Sequence, residues 1–284
     1  MGELLSSVSG PGFRESLAAG REGPIRLRWY RAAADLGTPA HGPTVVWAHG
    51  GAFFAGGLNK PEAHDVALAL ADRGVGVVTV DYRLAPVPGL PRFLTGSARA
   101  RFPQPMEDLV TALRHVDGVS AGGVILGGAS AGACLASSAA LRAVELGMNL
   151  RGVVLAYGFF HAVHPRSVEI QRRVRDHRRL THSRLVLNVV NRNYAGSASA
   201  LTDAFPGGHD LRGFPSTLMI NADRDVMRAS GDQFAVELQK AKVDVEHHVL
   251  PGSRHAFLNR PRLDEFAAAV DLMAAWCLGR TAPD

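Results

Sequence analysis

Cysteine is nearly absent from this chain: two residues in 284, Cys134 and Cys277, each within a helical pattern and far apart in sequence. That excludes a disulfide framework as the source of stability and fits a reducing, cytoplasmic setting. Uninterrupted apolar stretches are short and broken by glycine or charge, so neither a transmembrane helix nor stable membrane insertion is expected. Met1 to Gly20 lack a basic start followed by an apolar run, and no secretory leader is expected. Internal repeats are missing too. The net charge is +5 and the pI about 9.7, yet there is no aromatic-basic alternation and no nucleic-acid-binding motif. Basic residues are scattered apart from one dense cluster between Arg172 and Arg184. The excess charge therefore reads as a solvated surface, and no nucleic-acid partner is expected.

What is present is material for a sizeable core. Hydrophobic residues make up 46% and charged residues 20%, which excludes wholesale disorder. The length suits one large α/β domain or two small ones, and a continuous alternation of elements reads as one, residues 1–284. Strands are predicted at Ile25–Arg31, Thr44–His49, Val75–Asp81, Gly123–Gly127, Gly152–Tyr157, Ser216–Ala222 and Val243–Leu250. Several are apolar almost throughout, as strands covered on both faces are. Helical patterns fall near 61–73, 105–117, 131–146, 229–242 and 261–277, with Gly147 as a stop for the third. This alternation predicts a mostly parallel sheet with crossover helices. Residues 84–104, rich in proline and arginine, read as an extended loop. Residues 161–213 separate two strands by more than a crossover requires and are expected to form a small, partly helical cap at the carboxyl edge of the sheet, where ligands bind in open α/β sheets.

Gly128-Ala129-Ser130-Ala131-Gly132 matches G-x-S-x-G. The match is weak alone, but it follows the strand Val124-Ile125-Leu126 and opens an alanine-rich helix, the strand-turn-helix setting of a nucleophile elbow. A sharp turn strains the serine backbone and leaves no room for bulk two residues away, where this chain has glycine on both sides. The structural alternative is a glycine-rich turn with a capping serine. Upstream, Thr44-Val45-Val46-Trp47-Ala48 leads into His49-Gly50-Gly51-Ala52-Phe53-Phe54. Attack on an ester creates an alkoxide that needs unobstructed backbone N–H donors, and this segment resembles the HGGG-type loop of lipases and esterases with Ala52 in the third glycine's place. His49 is expected to order the loop rather than transfer protons. Downstream, a predicted strand ends at Asp223-Arg224-Asp225, and the residues alone barely separate the two carboxylates as the acid. His255 is the only one of twelve histidines in a turn between the last strand and last helix, from which a base reaches a serine at the sheet edge. His247 and His248, adjacent on a strand, point to opposite faces, which argues against a shared metal.

Taken together these residues resemble the hormone-sensitive-lipase family of α/β-hydrolases, also called bacterial type IV esterases. The resemblance runs from about Ile25 to the last helix. It rests on His49–Phe53, Asp81-Tyr82-Arg83-Leu84-Ala85-Pro86, Phe102-Pro103 leading to Glu107-Asp108, Gly128–Gly132, and the flanks of Asp225 and His255. It implies the α/β-hydrolase fold, Asp225 rather than Asp223 as acid, and an oxyanion hole from the N–H groups of Gly51, Ala52 and Ala131, with Gly50 as a further contributor. The chain departs from the family in Ala129, where an acidic residue is usual, in a longer loop at 87–101, and in a short segment before Ile25. The cap is accordingly expected to come mainly from 161–213, with 1–24 as a second contributor. The function implied is hydrolysis of small, short-acyl esters by Ser130, His255 and Asp225, without metal or organic cofactor. An amide or formamide hydrolase is the alternative within the fold. A non-catalytic binding member is the alternative outside catalysis, against which the retained His255 argues. Arg172, Arg173, Arg175, Arg178 and Arg179 form either an exposed charged helix or a device that attracts anionic substrates. Oligomeric state is left open, with a homodimer as one candidate.

Overall fold

The computed structural model describes residues 9–10, 12–30, 42–91, 99–174 and 183–280. In chain order its elements are β1 (Ser9–Gly10), β2 (Phe13–Ala18), β3 (Ile25–Tyr30), β4 (Thr44–Ala48), α1 (Pro61–Ala71), β5 (Gly76–Val80), α2 (Gln104–Asp117) and β6 (Val124–Ala129). There follow α3 (Ala131–Glu145), β7 (Leu150–Ala156), α4 (Val168–Arg173), α5 (Arg184–Ala195), β8 (Thr217–Arg224), α6 (Arg228–Lys240), β9 (Val245–Arg254) and α7 (Asp264–Leu278). The described strands form one sheet in the order β1-β2-β3-β5-β4-β6-β7-β8-β9. From β5 to β9 every pairing is parallel, whereas β1, β2 and β3 add an antiparallel edge that joins through Leu27 opposite Val80.

Alternation along the central strands divides the core into two layers. Val46 and Ala48 of β4, Val78 and Val80 of β5, Leu126 of β6 and Leu155 of β7 pack with α2, α3 and α6. Their neighbours Val45, Trp47, Val77, Ile125 and Val154 face the other way, onto α1 and α7. Both faces are covered, which is why these strands read as unbroken apolar runs. Gly147 ends α3 with φ 70°, the left-handed conformation that suits glycine after a helix.

All seven strands expected from the sequence are present, and the hairpin of β1 and β2 is additional. Residues 13–18, part of the segment assigned as a contributor to the cap, lie in the sheet instead. The reason is pairing that no periodicity announces: Glu15 accepts two bonds from Arg28, at 2.8 and 2.7 Å, and Ser16 Oγ accepts from Trp29 Nε1 at 2.7 Å. A charged strand at a sheet edge shows little hydrophobic alternation. Residues 1–8 and Arg31 lie outside the described residues.

The long connection between β7 and β8 starts and caps its helices with serine. Ser167 Oγ accepts from Ile170 N at the start of α4, and Ser183 Oγ from Val186 N at the start of α5. Tyr194 of α5 stacks on Phe53 with ring centroids 3.9 Å apart, and Phe205 packs edge-on to both. Asn193 Nδ2 donates to the Pro86 carbonyl and Asn191 Nδ2 to those of His161 and Ala162. Arg173 is paired with Glu169 and Asp223, while Arg175, Arg178 and Arg179 of the basic cluster lie outside the described residues.

His164, in the same connection, is only 2% exposed and has no hydrogen-bond partner on either ring nitrogen among the described residues. Burial pushes its imidazole down to about 4, more than the nearby Asp225 carboxylate raises it. An unfolded histidine titrates near 6.5, so between pH 6.5 and 4 the unfolded chain binds the proton that the folded chain refuses. Stability is therefore full above 6.5 and falls as pH drops through that window, by up to about 3 kcal/mol from this residue. His164→Leu should flatten the acid limb of the unfolding free energy measured in urea from pH 7 to 4, and an unchanged limb would refute the assignment. A second expectation concerns the start of α3. A Cβ on Gly132 would sit 2.2 Å from the Ala48 carbonyl oxygen and 2.5 Å from that of His49, so Gly132→Ala should cost about 3 kcal/mol in urea unfolding.

Candidate active site

The chain passes from β6 to α3 through a single residue, Ser130, at φ 55° and ψ −119°. That backbone is strained for a side chain with Cβ. Three hydrogen bonds hold it: Ser130 N–H donates to Ala156 O at 2.9 Å, and its carbonyl accepts from Ala133 and Cys134 at 3.0 and 3.2 Å. The flanking glycines are required by contact rather than by torsion. A Cβ on Gly128 would lie 2.5 Å from the Gly132 carbonyl and 2.8 Å from that of Ala48. The small residues read as a steric motif are thus small because α3 is pressed onto the carboxyl end of β4.

Ser130 Oγ is 3.0 Å from His255 Nε2, and His255 Nδ1 is 2.6 Å from Asp225 Oδ2. All three residues are buried. A carboxylate only accepts, so Nδ1 carries the proton that it donates to Asp225, leaving Nε2 to accept from the serine hydroxyl. Asp225 is fixed by the Met227 N–H, which donates to Oδ1 at 3.0 Å. His255 stands at the end of β9, its ring edge-on to Tyr157 with centroids 5.0 Å apart. Asp223 is occupied elsewhere: Oδ1 pairs with Arg173 and Arg228 at 2.9 and 3.4 Å, and Oδ2 accepts from Gly252 N–H at 3.2 Å. Of the two carboxylates that the residues alone left open, Asp225 is the one in contact with His255, while these arginines hold Asp223.

The loop after β4 enters left-handed backbone at Gly51, Ala52 and Phe53, with φ of 137°, 52° and 67°. Only glycine fits at 51, since a Cβ there would collide with the Ala55 backbone. Among the described residues, the N–H groups of Gly51, Ala52 and Ala131 have no intramolecular acceptor; the last is an unpaired donor at a helix start. Gly50 differs from expectation. Its N–H donates to Glu62 Oε1 at 2.8 Å, so it is not available to an oxyanion. His49 is buried and stacked on Tyr82, whose hydroxyl donates to the His49 carbonyl at 2.6 Å. Burial lowers the His49 imidazole below its ordinary range, and its Nδ1 donates to the Gly50 carbonyl at 2.8 Å, a loop-ordering arrangement. The Asp81–Pro86 segment braces the same loop: besides Tyr82, Ala85 N–H donates to the Phe53 carbonyl at 2.8 Å, and Arg83 is tied to Asp108 at 2.6 Å.

Sequence reasoning overlooked Glu62. This carboxylate is 0% exposed and collects the Gly50 N–H, the Lys60 ammonium, the Tyr157 hydroxyl and the Asn259 amide. Its only sequence signal is an acidic residue after a proline in the first turn of a helix. Cys134, one turn beyond Ser130, is no rival nucleophile, because burial raises its thiol far above the usual range. Among the described residues no cluster of three or more histidine, cysteine or acidic side chains is placed to hold a metal ion, and no helix is long and apolar enough to cross a membrane.

Comparison with known proteins places this geometry. A family model described as alpha/beta hydrolase fold matches residues 45–259, which include the oxyanion-type loop, Ser130, Asp225 and His255. The chain is similar to the carboxylesterase NlhH of Mycobacterium tuberculosis, 28% identical over 245 residues that cover 83% of this chain and 71% of NlhH. It is 27% identical over 251 residues to the FAD-linked oxidoreductase pytB of Aspergillus terreus, matching 82% of this chain but spanning only 28% of that protein. A solved esterase of Pyrobaculum calidifontis superimposes with a TM-score of 0.80 at 29% identity, over 94% of this chain and 84% of its own. With the family match covering most of its length, the chain belongs to the α/β-hydrolase fold family.

Proposed function

We propose that this chain is a serine carboxylesterase that hydrolyses small, short-acyl esters through an acyl-enzyme. The observation that carries the reading is the unbroken hydrogen-bonded line from Asp225 through His255 to Ser130, which ends against three backbone N–H groups without acceptors. The loop bearing two of them lies close enough that a Cβ on Gly50 would sit 2.9 Å from that of Ser130. Similarity to the NlhH carboxylesterase and to the Pyrobaculum calidifontis esterase adds support.

In this mechanism Ser130 Oγ attacks the ester carbonyl carbon as its proton passes to His255 Nε2. The imidazolium that forms is stabilised and oriented by Asp225. The carbonyl oxygen becomes an alkoxide and accepts from the N–H groups of Gly51, Ala52 and Ala131, each such donor being worth about 3 kcal/mol in the transition state. The positive end of α3 behind Ser130 adds to the same field. Collapse of the tetrahedral species expels the alcohol, which takes the proton from His255. Water, deprotonated by the same imidazole, then attacks the acyl carbon and restores the serine. Geometry that needs only side chains and backbone donors accounts for every proton.

The molecule reads as a single α/β-hydrolase domain in which residues 161–213 act as a cap. The stacking of Tyr194 on Phe53, at the edge of the oxyanion loop, supports this. So does a cavity of about 160 Å³ between α4, α5 and Val226, the residue after the proposed acid, lined by His164, Gln171, Val174, Arg184 and Leu187 among others. Phe53, Phe159, Tyr194 and Phe205 are buried against one another, which favours a short acyl group on that side.

Ser130→Ala should lower kcat on p-nitrophenyl acetate by about 10⁶-fold while the melting temperature stays near that of the parent. Undiminished turnover in that folded variant would remove the nucleophile from Ser130. Asp225→Asn should cost about 10⁴-fold in kcat, whereas Asp223→Asn should act mainly on stability; equal kinetic losses would show that the acid was misassigned. Across a series of nitrophenyl esters, acetate and butyrate should exceed laurate in kcat/KM by at least about tenfold, one bad fit being worth that much.

A further inference from the structure

Why the chain buries a carboxylate at position 62 is not explained by stability. A buried charge with partners is often no more stabilising than an apolar group of the same shape. What the arrangement does supply is a fixed geometry between segments far apart in sequence. Every group that contacts the Glu62 carboxylate is a donor: Gly50 N–H at 2.8 Å and the Lys60 ammonium on Oε1, the Tyr157 hydroxyl at 2.8 Å and Asn259 Nδ2 at 2.9 Å on Oε2. The backbone of Glu62 is held as well, its carbonyl accepting from Trp47 Nε1 at 2.7 Å, so the carboxylate cannot drift with α1.

Each of the three segments tied here touches the reacting groups. The first is the oxyanion loop. Lys60 Nζ, paired to Glu62, also donates to the Gly50 carbonyl at 3.2 Å, and His49 Nδ1 donates to that same oxygen at 2.8 Å. Peptide units are planar, with C=O and N–H pointing in opposite directions. Holding the Gly50 carbonyl therefore aims the N–H of the same peptide unit, which is that of Gly51, one of the three proposed oxyanion donors. The Gly50 N–H, bound to Oε1, anchors the preceding unit. The second segment is the end of β7, where Tyr157 sits at the strained φ of 36° and presents its ring to His255. The third is the short 3₁₀ turn Phe257–Asn259, separated from His255 only by Ala256; its Phe257 ring packs on Tyr157 with centroids 4.7 Å apart.

We infer that Glu62, acting with Lys60, is a positioning residue for the transition state: one carboxylate sets both the plane of the peptide that presents the Gly51 N–H and the aromatic wall behind the His255 imidazole. Oxyanion donors and base are thereby held in mutual register without touching each other. The inference rests on the serine esterase reading given above. Its consequence is selective. Ground-state binding of the ester does not use this register, whereas the tetrahedral intermediate does, so the effect falls on kcat and on ligands that mimic that intermediate.

The test uses the full chain carrying Glu62→Gln, an isosteric change that turns one acceptor into a donor facing donors. Active sites are counted by titration with an organophosphonate, so that misfolded protein does not enter the rate. For p-nitrophenyl acetate, kcat per titrated site should fall about 100-fold with KM changed by less than about threefold, as for a small misplacement of catalytic groups. A trifluoromethyl ketone, which adds to the serine as a tetrahedral oxyanion, should lose affinity in parallel, while the corresponding alcohol, which cannot add, should bind as before. A purely structural role would lower the melting temperature and the titrated fraction but leave kcat per site and the ratio of the two inhibition constants in place. That result overturns the inference, as does a loss confined to KM. If Glu62→Gln yields no folded protein, Lys60→Met at the partly exposed rim carries the test. It should cost about tenfold in kcat and in affinity for the ketone, and a variant within about twofold of the parent in both overturns the inference. Ser130→Ala that retained turnover would instead sink the esterase reading itself, so the two failures are told apart.

Discussion

The amino end of α3 stands against the carboxyl end of β4 at a separation that leaves no room for a side chain between them, and the rest of the site is arranged around that contact. The absent Cβ atoms of Gly128 and Gly132 would fall 2.2–2.8 Å from the carbonyls of Ala48, His49 and Gly132 itself. Because the helix is pressed in this far, Ser130 is forced into its left-handed turn, and the loop leaving β4 passes directly beside it. The strain at Ser130 persists because it is over-determined by hydrogen bonds to β7 and to α3. Proximity of the proposed nucleophile to unpaired backbone N–H groups is thus a packing result before it is a chemical one.

Three carboxylates lie around this contact, and their partners assign them different work. Asp225 keeps one oxygen on the Met227 N–H and the other on His255 Nδ1, so its charge faces the imidazole. Asp223, two residues earlier, is taken by Arg173 and Arg228 and by the Gly252 N–H within β9; it ties the connection between β7 and β8 to the sheet. Glu62 meets only donors and meets them on three separate segments. In a low-dielectric interior each arrangement is strongly directional, since a carboxylate with unmatched lone pairs there would be costly. Placing acceptors where all their donors are fixed turns a desolvation cost into orientation.

Above the sheet, the connection from β7 to β8 is joined to the site by rings rather than by charges. Phe53 belongs to the loop that carries Gly51 and Ala52, and it is the centre of an aromatic group completed by Phe159, Tyr194 and Phe205. α5 is thereby joined to the Gly51–Ala52 loop through Tyr194. The unpartnered His164 lies in the same region, packed against Phe159, and its neutral imidazole is a consequence of that apolar setting. The loop that carries Gly51 and Ala52 and the connection from β7 to β8 share one set of walls.

Much of this was legible in the residues because the decisive features are local. A strand, a glycine-flanked serine and a small-residue helix occupy consecutive positions, and the same holds for the Gly50-Gly51 loop and for His255 after the last strand; steric demands within a few residues leave a mark on sequence. The two-layered parallel sheet was legible for the same reason, since strands buried on both faces are apolar throughout. Other features had no local mark. The place of β2 in the sheet depends on Glu15 finding Arg28 of β3 across a charged edge. Asp225 and Asp223 share a loop and a chemistry, and what separates them is that one meets His255 while the other meets Arg173, Arg228 and Gly252. Gly50 looks like a fourth oxyanion donor until Glu62, twelve residues on, claims its N–H. Glu62 itself takes partners 95 and 197 residues away. Sequence alone determined which residue types stand at the turns, because turn sterics act between neighbours. Which acceptor each donor meets was decided only by tertiary structure, because in a buried site that depends on which distant segments the packing brings within hydrogen-bonding distance.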